Sequence, residues 1–181
     1  MNDINSQNYL AMMEKAKDFR FTAIDSAITI ESLISAILIE FLGTESTRET
    51  LEKHLFSDVL TFEKKIVLFS SLNKRKLFEP TIENKDLNNN LAYIKLLRNL
   101  MAHSALHTDK EVINNFNNRE MKFISFTEKN NKEIIVKFYE MTDEPEKLIF
   151  SYNVLVKRFN ETFEALDSIL KWVVNKNIEK I

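Results

Sequence analysis

The densest chemistry in the sequence is Arg98-Asn99-Leu100-Met101-Ala102-His103-Ser104, where a cation, an amide, a histidine and a hydroxyl crowd together. Histidine, with a reference pKa of ~6.5, can hold or release a proton near neutral pH. Arginine stays charged and offers a planar fork to the oxygens of an anion. Asn99 can orient the histidine ring or the anion. The set suits acid–base chemistry beside a bound anion. The same residue types also have plainer uses. A histidine and a small hydroxyl at a helix carboxyl end commonly cap carbonyls, and an arginine one turn back often pairs with an acidic neighbour.

These residues need an element to place them. Leu87, Leu91, Ile94, Leu97 and Met101 recur at spacings of three and four, one stripe of an amphipathic helix whose last turns carry the polar cluster. At ~100° per residue Asn99 and His103 share a face, whereas Arg98 and His103 stand about 140° apart. The two converge if the helix ends between them, if a local bulge turns one of them, or if a second copy of the chain brings its own pair alongside.

The pattern Arg-Asn-x-x-x-His on a late helix of an all-helical bundle resembles the Arg-x(4-6)-His motif of the HEPN superfamily. Two flanking features agree: Glu31 within Ile-Thr-Ile-Glu-Ser-Leu-Ile of a long first helix, and Thr61-Phe62-Glu63-Lys64-Lys65-Ile66 opening a later one. The likeness covers roughly residues 10–105 and 145–175. Many members of that superfamily are metal-independent endoribonucleases of toxin-antitoxin, abortive-infection and CRISPR-linked systems. Others are inactive or regulatory, and mannitol-repressor-like proteins have a related helical look. The resemblance implies His103 as acid or base, Arg98 as phosphate clamp and Asn99 as their polar support. Ser104 would join the phosphate contacts. It further implies a homodimer, an RNA substrate, and an antitoxin or regulatory protein as partner. No cofactor or metal is expected. The alternative it leaves open is a non-catalytic regulatory or binding module of the same fold. A third reading is a structural phage or mobile-element protein whose apolar first helix serves assembly.

Composition sets the fold class. The chain has 181 residues, 44% of them apolar, with one glycine and two prolines, which leaves few tight turns and favours long helices. The expectation is a single domain over 1–181, mainly α, an antiparallel bundle of about five helices with a β-hairpin inserted at about 120–140, before the last helix. The lack of cysteine excludes disulfides and thiolate chemistry. One glycine excludes a glycine-rich phosphate loop. A net charge of -2 argues against coating nucleic acid by charge alone. The amino terminus lacks a signal-peptide layout and no apolar run is counted as reaching the ~18 residues of a membrane span, so a soluble cytoplasmic protein away from membranes is expected.

Along the chain, a long apolar helix runs from Ser6 to Gly43, where a left-handed glycine cap is expected. Its second half is apolar on nearly all sides, which requires a central position or a covering partner. Ser46 or Thr47 can cap the next helix, and Asp58 or Thr61 the one after. Lys74-Arg75-Lys76 follows as a basic run, either the solvated, dipole-complementing exit of that helix or a phosphate contact. The polar stretch Glu79 to Asn90, with Pro80, reads as a loop. Met121 to Phe126 and Ile134 to Tyr139 read as two strands around a polar turn, Phe123 and Ser125 on one face and Ile124 and Phe126 on the other. Thr142 or Asp143 is expected to cap the last helix, with Pro145 in its first turn. His107, four beyond His103, has no third ligand or HExxH context for a metal, and His54 sits on an ordinary amphipathic helix.

Overall fold

The computed structural model describes residues 2–55, 60–78, 85–125 and 132–178. The protein is mainly helical, with a small four-stranded sheet. In chain order come α1 (Asn2–Leu42), α2 (Arg48–Leu55), α3 (Phe62–Lys74), α4 (Lys85–Ala102), β1 (Ser104–Leu106), α5 (Lys110–Asn114), β2 (Glu120–Ser125), β3 (Lys132–Lys137), β4 (Ile149–Ser151) and α6 (Tyr152–Ile178). The backbone falls into two compact units, Met1–Asp25 with Leu96–Arg158, and Ser26–Lys95 with Phe159–Ile181. We call them the sheet unit and the helical unit. α1, α4 and α6 contribute to both.

In the sheet unit the strands follow the order β1-β2-β3-β4. β2 runs antiparallel to β1 and to β3, with Phe123 opposite Leu106 and Ile134, while β4 lies parallel to β3. Period-two alternation sends Met121, Phe123 and Ser125 inward with Ile134 and Val136 of the neighbouring strand. The expected sharing of a face by Phe123 and Ser125 holds; Phe126 and the expected polar turn lie outside the described residues. Met12, Ala16, Phe19 and Ala23, spaced by three and four along α1, are buried, and the Phe19 ring stands 6.3 Å from that of Phe123. Asn8 Nδ2 donates to the Ile113 carbonyl and Lys15 Nζ to that of Asn118, each at 3.3 Å.

In the helical unit, Ile30, Ile34, Ile37 and Leu38 of α1 are fully buried, as are Phe69, Phe78, Leu91, Ile94, Leu166 and Ile169. The Phe69 and Phe78 rings stack at 5.5 Å, and Phe41 meets Phe78 edge-on at 4.9 Å. Lys65, only 3% exposed, places its Nζ 2.6 Å from Glu31 Oε1. Glu31 of α1 and Lys65 of α3 thus meet in one largely buried ion pair. Lys95 donates to Glu63 at 2.8 Å, and that bond followed by the ammonium charge holds the Glu63 carboxyl below its ordinary range. Thr61 caps α3 by accepting from the Lys64 amide at 3.5 Å.

Five expectations are corrected. Gly43 does not take the left-handed conformation. Its amide donates to the Ile39 carbonyl at 2.8 Å, and a Cβ there would lie 2.4 Å from that oxygen, so close backbone approach is what requires glycine. α4 already begins at Lys85, so the polar residues 85–90 are helical, not loop. Tertiary bonds overrode their weak propensity: Asn88 meets Ser70 at 2.8 Å, and buried Asn90 donates to Glu161 at 3.4 Å. Pro145 opens a short 3-10 turn, and α6 starts only at Tyr152. The intervening β4 is too short to show a period, yet Phe150 and Ser151 are fully buried. α5, five residues long, adds a sixth α-helix to the five the sequence suggests. Finally, a stretch of α1 within Ser6–Leu42 is long and apolar enough to cross a membrane, although no such run was expected; half of it is buried within the protein.

Candidate functional site

α4 delivers the polar cluster through its buried stripe: Leu91, Ile94, Leu97 and Met101 are 1% exposed or less, which turns Arg98 and Asn99 outward. The helix ends at Ala102. His103 lies in the turn that follows, its amide donating to the Leu100 carbonyl at 3.3 Å and its side chain exposed. The helix end therefore falls between Arg98 and His103, and the helical separation of about 140° no longer applies to them. Arg98 Nη1 donates to Asn99 Oδ1 at 3.1 Å. Asn99, offered by the sequence to orient the histidine or an anion, has its amide oxygen accepting from the guanidinium.

Ser104 opens β1, half-buried and paired with Ser125. Its Oγ is buried and makes no hydrogen bond among the described residues. Its carbonyl accepts from Arg20 Nη2 at 2.6 Å. Arg20 is half-buried on α1, its guanidinium 5.7 Å from the centre of the Phe123 ring and its buried Nε without a partner among the described residues. A charge-assisted bond of this kind pins the first residue after His103, and with it the turn that carries the imidazole. Nothing local announces Arg20; the bond spans 84 positions.

Lys74, Arg75 and Lys76 are exposed and belong to the helical unit, whereas Arg98, Asn99, His103 and Ser104 belong to the sheet unit. The basic run has a backbone task of its own. Lys76 is left-handed, with φ 55°, its amide donating to the Asn73 carbonyl at 2.9 Å and the Leu77 amide to that of Leu72 at 3.4 Å. That is a Schellman closure of α3 with lysine where glycine is usual.

A cleft of about 420 Å³ lies within the sheet unit, lined in part by Met12, His107, Asp109, Glu111, Glu120 and Lys122. His107 Nε2 is 2.8 Å from Asp109 Oδ2. Asp109 is the N-cap residue of α5 but makes no side-chain cap, its carboxylate being turned to the imidazole. His107 Nδ1 is buried and without a hydrogen bond among the described residues; Glu133 Oε1 stands 3.7 Å away, beyond hydrogen-bond reach. The spacing His-x-Asp was the one sequence signal for this pair. Among the described residues no three His, Cys, Asp or Glu side chains group so as to hold a metal ion.

The structure defines a mainly α chain that exposes Arg98 on α4 and His103 in the turn after it. No protein-family model matches the chain, and no curated protein or solved structure is significantly similar to it.

Proposed function

We propose that the protein is a metal-independent endoribonuclease of the HEPN kind, acting as a pair of chains in the cytoplasm and held in check by an antitoxin or regulatory partner. The observation that carries the reading is the end of α4 at Ala102, which leaves exposed Arg98 and His103 on either side of a helix terminus. One His103 takes the proton of a ribose 2'-hydroxyl. The 2'-oxygen attacks phosphorus, the bond to the 5'-oxygen breaks, and a second protonated histidine, from the partner chain, protonates that oxygen. Arg98 meets the extra negative charge of the phosphorane, its guanidinium steadied by Asn99. The exposed Lys74-Arg75-Lys76 run contacts the RNA backbone, which positions the strand without reading its sequence, whereas the Ser104 hydroxyl, expected to join it, is buried. The finer architecture of this reading is an antiparallel helical bundle with β2 and β3 as a hairpin inserted ahead of the last helix.

One observation favours a second reading, a non-catalytic regulatory or binding module of the same fold. The cleft beside His107 is lined by Asp109, Glu111 and Glu120, which repel phosphate.

The experiment is cleavage of a mixed RNA pool in EDTA by the wild type, His103→Ala and Arg98→Ala, with circular dichroism of each. The expected outcome is 2',3'-cyclic phosphate and 5'-hydroxyl ends from the wild type and a loss of at least ~100-fold in rate for His103→Ala. Folded wild type that leaves the pool intact moves the protein to the binding-module reading.

A further inference from the structure

The face of α1 turned away from the sheet carries large apolar side chains that none of the described residues covers. Leu10 is 63% exposed, Met13 41% and Phe21 67%. At ~100° and ~1.5 Å per residue, Leu10, Met13, Glu14, Lys17, Phe21 and Ile24 fall within about 100° of one another, along about 21 Å of helix. Glu14 and Lys17 are exposed and make no ion pair among the described residues.

We infer that this stripe docks on the same stripe of a second copy of the chain, the two α1 helices lying antiparallel across a two-fold axis. In such an isologous pair every contact occurs twice. The offset that sets Leu10 opposite the partner's Phe21 also brings Glu14 level with the partner's Lys17. Both contacts recur on the far side of the axis. Two apolar contacts then flank two complementary charge pairs, and the stripe satisfies itself without any other molecule. The charges also separate this occupant from a lipid surface. An interfacial helix keeps basic residues on its polar face and bears no carboxylate in its apolar one. Here Glu14 stands at the border of the stripe beside Phe21, level with the antiparallel partner's Lys17, a cation that a bilayer does not offer. The inference rests on the two-chain form of the reading above and gives it a surface, but it does not depend on RNA cleavage.

A single helix crossing of this length is at the small end of specific interfaces, so association in the micromolar range is expected. The test is sedimentation velocity of the full chain from roughly 1 to 200 µM. Wild type should pass from monomer to dimer across that range, and Phe21→Glu should abolish the transition. Glu14→Lys alone and Lys17→Glu alone should each weaken association about tenfold, a loss of about 1.4 kcal/mol. The double variant Glu14→Lys/Lys17→Glu should return to within about threefold of wild type, because the offset restores both pairs with reversed sign. A chain that stays monomeric throughout, or a dimer indifferent to Phe21→Glu, overturns the inference, as does a double variant that fails to recover. Co-sedimentation of a monomer with phosphatidylserine vesicles, lost in Phe21→Glu, would assign the stripe to a membrane instead. RNA cleavage by the same samples keeps the two questions apart. A charge-swap pattern without cleavage leaves the interface standing and removes the ribonuclease, and cleavage by a dimer indifferent to Phe21→Glu does the reverse.

Discussion

The two units differ in how they treat buried polar groups. In the helical unit the buried ammonium of Lys65 is matched by Glu31 at 2.6 Å and Asn90, the buried amide of α4, donates to Glu161, while Asn73 Oδ1 is buried without a hydrogen bond among the described residues. In the sheet unit Arg20 Nε, Ser104 Oγ, His107 Nδ1 and Asp143 Oδ2 are all buried without a hydrogen bond among the described residues. An unsatisfied buried group is destabilising, and such groups persist mainly where something else requires them. Two of these four adjoin the turn that holds His103, and a third is the imidazole of the acidic cleft. Unmatched buried polar atoms are thus concentrated in the sheet unit, beside the turn of His103 and in the cleft of His107.

The largest effect that would break this contrast is at the ion pair. Lys65→Ala leaves Glu31 without its cation in a largely buried setting and should lower unfolding free energy by about 3 kcal/mol. Glu31→Leu with Lys65→Met should recover most of that loss in urea denaturation, since an apolar pair of similar volume replaces a desolvated one. A Lys65→Ala protein as stable as wild type would mean that the helical unit does not depend on the pair.

In the sheet unit, Arg20→Met keeps much of the side-chain length but removes the bond to the Ser104 carbonyl. A cost of about 2 kcal/mol is expected from a lost charged hydrogen bond. Hydrogen exchange should show it as faster exchange at β1 and the His103 turn, while α3 is unchanged. Uniform acceleration over both units would show Arg20 to be a general stabiliser and not a local one.

The smallest effect has the opposite sign. Lys76→Gly relieves a left-handed lysine and should stabilise by about 1 kcal/mol, seen as a rise in Tm. The same variant sharpens the role of the basic run. RNA affinity unchanged by Lys76→Gly would make that lysine a helix terminator only, whereas a weakened, salt-sensitive affinity would make it a phosphate contact as well.

The helical character, the long first helix, the stripe of α4 and the face alternation of β2 were legible because each is written in local period and composition. One glycine and two prolines in 181 residues leave little else. Arg98, Asn99, His103 and Ser104 were legible as residue types crowded at a helix end, and their chain neighbourhood placed the end of α4 close to where it falls. Arg20 was invisible, because it reaches Ser104 across 84 positions and has no motif of its own. β4 was invisible because three residues carry no period, and its identity as a strand comes only from pairing parallel to β3. The sequence by itself determined which residues could do chemistry and which segments would be helical, because propensity and side-chain type act within a few residues. Only the tertiary structure decided which polar groups are satisfied, where Glu31 and Lys65 meet, and which face of α1 is left bare. Those depend on contacts between residues far apart in the chain, and only packing sets them.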